Sequence, residues 1–150
     1  MVKAIDVLFS RIGRELAEES GLSFVDYQIL IALADVEGEQ MTMTALAASL
    51  GWSRSRVSHQ VRRMEARGLV ERAPGEADRR NSIVRLAPMG LRRLKAAAPG
   101  QAERIRRHFL DRLTSEQIAT LTEAHRALLG HLTSLDDLRD FPAPSRSGGD

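Results

Sequence analysis

Between Ser53 and Arg63 the chain sets short hydroxyls, one imidazole and several guanidinium groups close together. If this stretch is helical, Val57, Val61 and Met64 form one apolar stripe. The opposite face then carries Ser55, Ser58, His59, Arg62 and Arg63. Hydroxyls, a ring that donates or accepts, and forked guanidinium groups are the side chains that read base edges and phosphates in a DNA major groove. Ser53 has the oxygen that caps a helix start, and it stands at the same end as these groups. Arg54 and Arg56 flank the first turn and suit backbone phosphates better than bases. An arginine run on a helix is more often only a solvated face, so the surrounding elements have to decide.

A second helix precedes this one. It runs from about Met43 to Leu50, with Thr42 as its cap and Leu46, Ala47 and Leu50 facing inward. Ala47 is small where two crossing helices must approach closely, and Gly51 can take the left-handed conformation that ends a helix. Trp52 sits in the turn and reads as an apolar plug between the helices. The pair forms a helix-turn-helix.

A hairpin follows. Leu69 to Arg72 is a short strand, Pro74-Gly75 opens a loop, and Asn81 to Leu86 returns. Val84 and Leu86 lie on one face, Ile83 and Arg85 on the other. The loop carries Arg79 and Arg80, the residue type that a narrow minor groove attracts through its negative potential. Asp78 beside them works against phosphate unless it pins an arginine in a pointing geometry, which is the role read for it here.

Charge agrees with this reading and requires no fold. Ser53 to Arg93 holds eleven arginines against four acids, a local balance of +7. The whole chain is +2, so the remainder sums to −5. Positive charge segregated onto one region is the footprint of a nucleic-acid binder, whose affinity falls steeply with salt.

The flanks are helical. Ile5, Leu8, Phe9, Ile12 and Leu16 recur at helical spacing from about Val2 to Ser20. Ser23 and Asp26 have capping-box spacing at the head of a helix reaching Asp35, and Val36 to Gln40 is read as a turn. From Met89 a helix carries Leu91 and Leu94. Pro99-Gly100 is expected to bend it, with continuation through Ile105, Phe109 and Leu113. Thr114 and Gln117 cap a last helix with Ile118, Leu121, Leu128, Leu129, Leu132 and Leu135. The stretch from Phe141 has the composition of a disordered tail. The terminal helices offer more apolar surface than one small domain needs, which points to two-fold dimerisation through them.

Other chemistries find little support. There is no nucleophile elbow, phosphate-binding glycine loop or His-Glu-x-x-His, so no catalytic residues are assigned and the chain is not read as an enzyme. Without cysteine there is no thiolate metal site and no cysteine-based oxidant sensing. His125 and His131 are six apart and do not share a helix face, so no metal ligand and no cofactor is assigned. No apolar run approaches the ~20 residues of a membrane span. No signal peptide is visible either, so no membrane partner is assigned and a cytoplasmic location is expected.

Thr42 to Gly90 resembles the winged helix of the multiple-antibiotic-resistance regulator (MarR) family. The matching residues are Thr42, Leu46-Ala47, Leu50-Gly51, Ser53-Arg54-Ser55, Val57-Ser58, Met64 to Val70, and Asp78-Arg79-Arg80 leading to Val84-Arg85-Leu86 and Gly90. Asp-x-Arg before an apolar strand is the most specific piece. The resemblance implies a mainly α fold with a small β-hairpin wing, a winged helix-turn-helix flanked by N- and C-terminal dimerisation helices. Residues 1–140 would form a single domain, with the winged helix at about 42–90, dimerisation helices at about 2–20 and 100–138, and a tail at 141–150. The family implies a homodimer on palindromic double-stranded DNA, with recognition helices in successive major grooves and wings in flanking minor grooves. It also implies repression relieved by a small aromatic or anionic ligand. By that pattern Arg80 is the wing-tip arginine and Asp78 its tether. Ile12, Tyr27, Leu30, Leu91 and Leu94 could line a ligand cleft by position, and plain core is the preferred reading of each. A ligand sensor acting as activator and a metal-responsive regulator remain as alternatives. One departure stands out: Ala87-Pro88 replaces the capping threonine common in the family, so a looser junction between wing and helix is expected.

Overall fold

Hydroxyl side chains set several helix starts in the computed structural model, which describes residues 2–74 and 82–136. In chain order the main elements are α1 (Val2–Ser20), α2 (Phe24–Ala34), β1 (Gln40–Thr42), α3 (Met43–Leu50), α4 (Arg54–Ala66), β2 (Val70–Ala73), β3 (Ile83–Leu86), α5 (Pro88–His108) and α6 (Ser115–Asp136). Ser23 Oγ accepts from the Asp26 N–H at 3.0 Å while the Asp26 carboxylate accepts from the Ser23 N–H at 2.9 Å, a complete capping box. Thr42 Oγ1 accepts from Ala45 N–H at 3.1 Å, and Thr114 with Gln117 forms the same reciprocal pair ahead of α6. Gly51 ends α3 with φ 63°, in the left-handed region.

The core joins these elements. Leu16 of α1, Ile29, Leu30 and Leu33 of α2, Leu46 of α3, Val57, Val61 and Met64 of α4, and Val84 of β3 are fully buried in one cluster. The fold is mainly helical with a small antiparallel sheet, the winged helix-turn-helix expected from sequence.

The sheet has three strands rather than two, in the order β1-β3-β2. Gln40, read from sequence as the end of a turn, and Thr42, read as a helix cap, bound a strand that pairs with β3 in the register Gln40 to Arg85 and Thr42 to Ile83. Three residues are too few to show an alternating pattern, and the partner lies more than forty residues away. The hairpin behaves as expected: Val84 and Leu86 are buried, Arg85 is exposed and Ile83 is half-buried. Residues 75–81, and with them Asp78, Arg79 and Arg80, lie outside the described residues, as does the tail at 141–150.

Two expectations about α5 are corrected. Ala87 makes no side-chain cap, as its methyl dictates, but the junction is tight. Ala87 is buried and its N–H donates to the Leu69 carbonyl at 3.2 Å. Gly90 lies so close to that carbonyl that an added Cβ would overlap it. The second correction concerns length. α5 runs as one helix through Pro99 and stops at His108, with a 3-10 turn at Leu110–Arg112, so it does not extend to Leu113. Proline removes one hydrogen bond, and on the exposed side of a long helix the neighbouring bonds hold the element together.

α1 and α5 are fastened by charge as well as by packing. Glu15 of α1 accepts from Arg11 at 2.8 Å, from Arg107 at 2.8 Å, and pairs with His108 at 3.0 Å. The hydrogen bond from Arg11, then that from His108, takes its carboxyl down to about 2. α6 is different. From Ser115 to Leu132 every side chain except the half-buried Ile118 is exposed, and Leu121, Leu128, Leu129 and Leu132 are among them. No helix among the described residues is long and apolar enough to cross a membrane.

Gly90→Ala forces a methyl against the Leu69 carbonyl and should destabilise the protein by about 2 kcal/mol or more. Urea unfolding of the two forms checks this, and an unchanged midpoint would show that the junction has slack.

Candidate nucleic-acid interface

α4 is built as a helix with two unlike faces. Ser53 Oγ accepts from the Arg56 N–H at 3.3 Å, which fixes the first turn. Val57, Val61 and Met64 are each 0% exposed, so the helix is seated on the core along the expected stripe. Ser53, Arg54, Ser55, Arg56, His59, Arg62 and Arg63 are all exposed, and Ser58 is half-buried. α4 and its N-cap therefore present to solvent four guanidinium groups, two hydroxyls and an imidazole, with the Ser58 hydroxyl half-buried beside them.

Trp52, at the turn, packs against the core while its ring is covered by Arg56, whose guanidinium carbon lies 4.3 Å from the ring centroid. The plug expected from sequence is present, and the arginine above it was not foreseen.

Not every arginine in the basic region faces outward unengaged. Arg72 donates to Glu65 at 2.8 Å, tying β2 to α4, and Arg85 donates twice to Gln40 across the β1–β3 pair. Arg67 donates to Asp26 at 2.7 Å and to the Gly21 carbonyl at 2.6 Å. Of the three, only Arg67 meets a buried carboxylate; the contacts of Arg72 and Arg85 are exposed.

The residues suggested for a ligand cleft occupy interior positions. Tyr27, Leu30 and Leu94 belong to the core cluster, Leu91 packs against it, and Ile12 is buried on the inner side of α1. An open depression of about 640 Å³ lies elsewhere, lined by Lys3, Ala4, Val7, Leu8, Arg11 and His108. No cluster of three or more potential metal ligands is found among the described residues.

Known proteins share this arrangement. Residues 20–81 match the MarR family profile. The chain is 32% identical over 104 residues to the transcriptional regulator HosA of Escherichia coli O157:H7, covering 69% of this chain and 74% of that one. The crystal structure of AbsC, a MarR family transcriptional regulator from Streptomyces coelicolor, superposes with a TM-score of 0.80 at 34% identity, over 89% of each chain. The chain belongs to the MarR family. A second MarR family regulator from Streptomyces coelicolor, Sco3205, was solved in complex with DNA and matches at a TM-score of 0.82 and 34% identity, over 87% of this chain and 82% of that one. As a MarR family transcriptional regulator, this chain has relatives whose described work is control of transcription.

In this MarR chain the orientation of α4 depends on a carboxylate that sequence reading assigned only to a helix cap. Asp26 is 0% exposed. Besides the Ser23 N–H, it accepts from Gln60 Nε2 at 2.7 Å and from Arg67 Nη1 at 2.7 Å. Burial pushes its carboxyl up, but the hydrogen bond from Arg67, those involving Ser23 and the charge of Arg67 outweigh this, and its pKa falls below the ordinary 3.8. The Ser23–Asp26 spacing was visible in the sequence. Partners thirty-four and forty-one residues away were not.

Arg67→Ala leaves that carboxylate buried with only neutral donors, the Gln60 amide and the Ser23 N–H. The expected cost is about 2–3 kcal/mol, at or below the low end for a broken buried pair because the Arg67 side chain is 40% exposed. The sign with pH follows from the lowered pKa. The Asp26 contribution is complete above the ordinary aspartate value and disappears as pH falls through the folded-state value. Asp26→Asn should therefore be less stable than the parent at neutral pH, with the gap closing below about pH 4. A gap that stays constant between pH 7 and pH 3 would remove the ion pair from this account.

Proposed function

We propose that this MarR family protein is a homodimeric repressor that binds a palindromic duplex operator, and that a small aromatic or anionic molecule releases it. The observation that carries the DNA part is the exposed face of α4, with Ser55, His59, Arg62 and Arg63 set opposite a fully buried stripe. A helix seated in this way enters a major groove as a rigid body, with hydroxyls and imidazole toward base edges and guanidinium groups toward bases and phosphates. Ser53, Arg54 and Arg56, at its first turn, meet the backbone. Arg79 and Arg80 reach the adjoining minor groove, and Asp78 holds Arg80 in place. The DNA complex of Sco3205 supports the assignment by kinship.

The dimer is supported by apolar surface that a lone chain leaves in water. Leu121, Leu128, Leu129 and Leu132 on α6 are 46–60% exposed, and Val7 of α1 is 60% exposed. Bringing these faces together around a two-fold axis removes them from solvent and sets two α4 helices one turn of duplex apart, ~34 Å. Such a protein works in the cytoplasm, with the chromosome. Release by a ligand rests on kinship with the family and on the interior position of Tyr27, Leu30 and Leu94 between the helices that would have to shift.

Sedimentation equilibrium should give twice the chain mass, and footprinting on DNA upstream of its own gene should give paired protections one helical turn apart. A monomer, or a single unpaired protection, defeats the proposal. Arg80→Ala should weaken operator binding by about 1–3 kcal/mol at moderate salt. His59→Ala should alter preference among base sequences in a selection experiment, and a loss uniform over all sequences would assign it to the backbone.

A further inference from the structure

We infer that Trp52 is a positioning residue for DNA binding, an aromatic platform that holds the Arg56 guanidinium in one place before a phosphate arrives. The inference deepens the reading of α4 as the DNA-facing helix and rests on it.

Three observations place the platform. The Trp52 N–H donates to the Ala47 carbonyl at 3.0 Å, next to the left-handed Gly51, so the backbone beneath the indole is fixed to the end of α3. The ring is half-buried and packs against the core, which leaves little freedom to its side chain. Arg56, at the third position of α4, lies over the ring with its guanidinium carbon 4.3 Å from the centroid, within cation–π range. Arginine is the residue for which this matters. Its planar group can stack on the ring and still direct N–H donors from its edge, whereas an untethered arginine must lose its rotamer freedom when it binds. The location is also suitable: Arg56 stands in the first turn of α4, the positive end of the helix dipole, where an anion is favoured. A phosphate of the duplex backbone is the ligand this combination fits. Trp52 itself need not touch DNA.

A platform and a mere plug give different results. Trp52→Leu keeps apolar bulk without a π face; Trp52→Phe keeps a face. Both are combined with wild-type Arg56 and with Arg56→Ala, and affinity is measured for a mixed-sequence duplex across a range of salt. Trp52→Leu should weaken binding about three- to tenfold when Arg56 is present and leave it nearly unchanged when Arg56 is Ala, whereas Trp52→Phe should stay close to wild type. The salt slope should be unaltered in Trp52→Leu, since the phosphate contact persists, and should fall by about one in Arg56→Ala. Because the chain has one tryptophan, its emission should shift to the red in free Arg56→Ala protein as the ring loses its cover. Equal losses from Trp52→Leu in both backgrounds, or an emission spectrum indifferent to Arg56, overturns the platform. A wild-type protein that binds no duplex defeats the function itself.

Discussion

The orientation of the DNA-facing head depends on one buried carboxylate. Asp26 sits in the first turn of α2, yet two of its partners, Gln60 and Arg67, come from α4 and the residue that ends it. Apolar packing alone is tolerant: a stripe such as Val57, Val61 and Met64 can slide or roll by a fraction of a residue at modest cost. A carboxylate with fixed lone pairs inside the protein is not tolerant, because a donor displaced by an ångström leaves a charge without compensation. Asp26 thereby converts a seated helix into an aimed one. The direction in which His59, Arg62 and Arg63 point is set from the inner side of α4, by groups that contact one another inside the protein.

This division of labour also sorts the arginines. Twenty arginines and two lysines suggest uniform basicity, but the structure separates them into distinct uses. Arg67, Arg72 and Arg85 are engaged within the protein, the first by a buried carboxylate and the other two at the surface by a carboxylate and an amide. Arg107 and Arg11 surround Glu15 between α1 and α5. Arg104 is buried against Glu19 and Gln101, with its Nε lacking a protein partner among the described residues. The forked donor geometry that suits phosphate equally suits a carboxylate between helices, so residue type alone does not separate the two.

Local signals were the legible ones. Caps at Ser23, Thr42, Ser53 and Thr114, the stop at Gly51 and the stripe on α4 depend on residues within a few positions of one another, and each was found where the pattern placed it. β1 escaped because its three residues carry no pattern and become a strand only by pairing with β3. The end of α5 is not legible locally, because Ile105, Phe109 and Leu113 keep a helical spacing past His108, where the helix stops. The role of Gly90 and the tightness of the Ala87 junction depend on the Leu69 carbonyl, brought there by the fold. For the candidate interface, the exposed set on α4 followed from periodicity, while the Asp26 anchor and the Arg56–Trp52 stack did not.

Thr42 ends β1 and is also the cap of α3, and the next residue, Met43, donates its N–H to the Ser82 carbonyl at 2.9 Å beside β3. At the other edge of the hairpin only Ala87 separates β3 from α5. Neither joint contains a hinge. With no linker at either joint to absorb it, a twist of α5 about its own axis would pass to the sheet and from there to the helix pair, as though through a crankshaft.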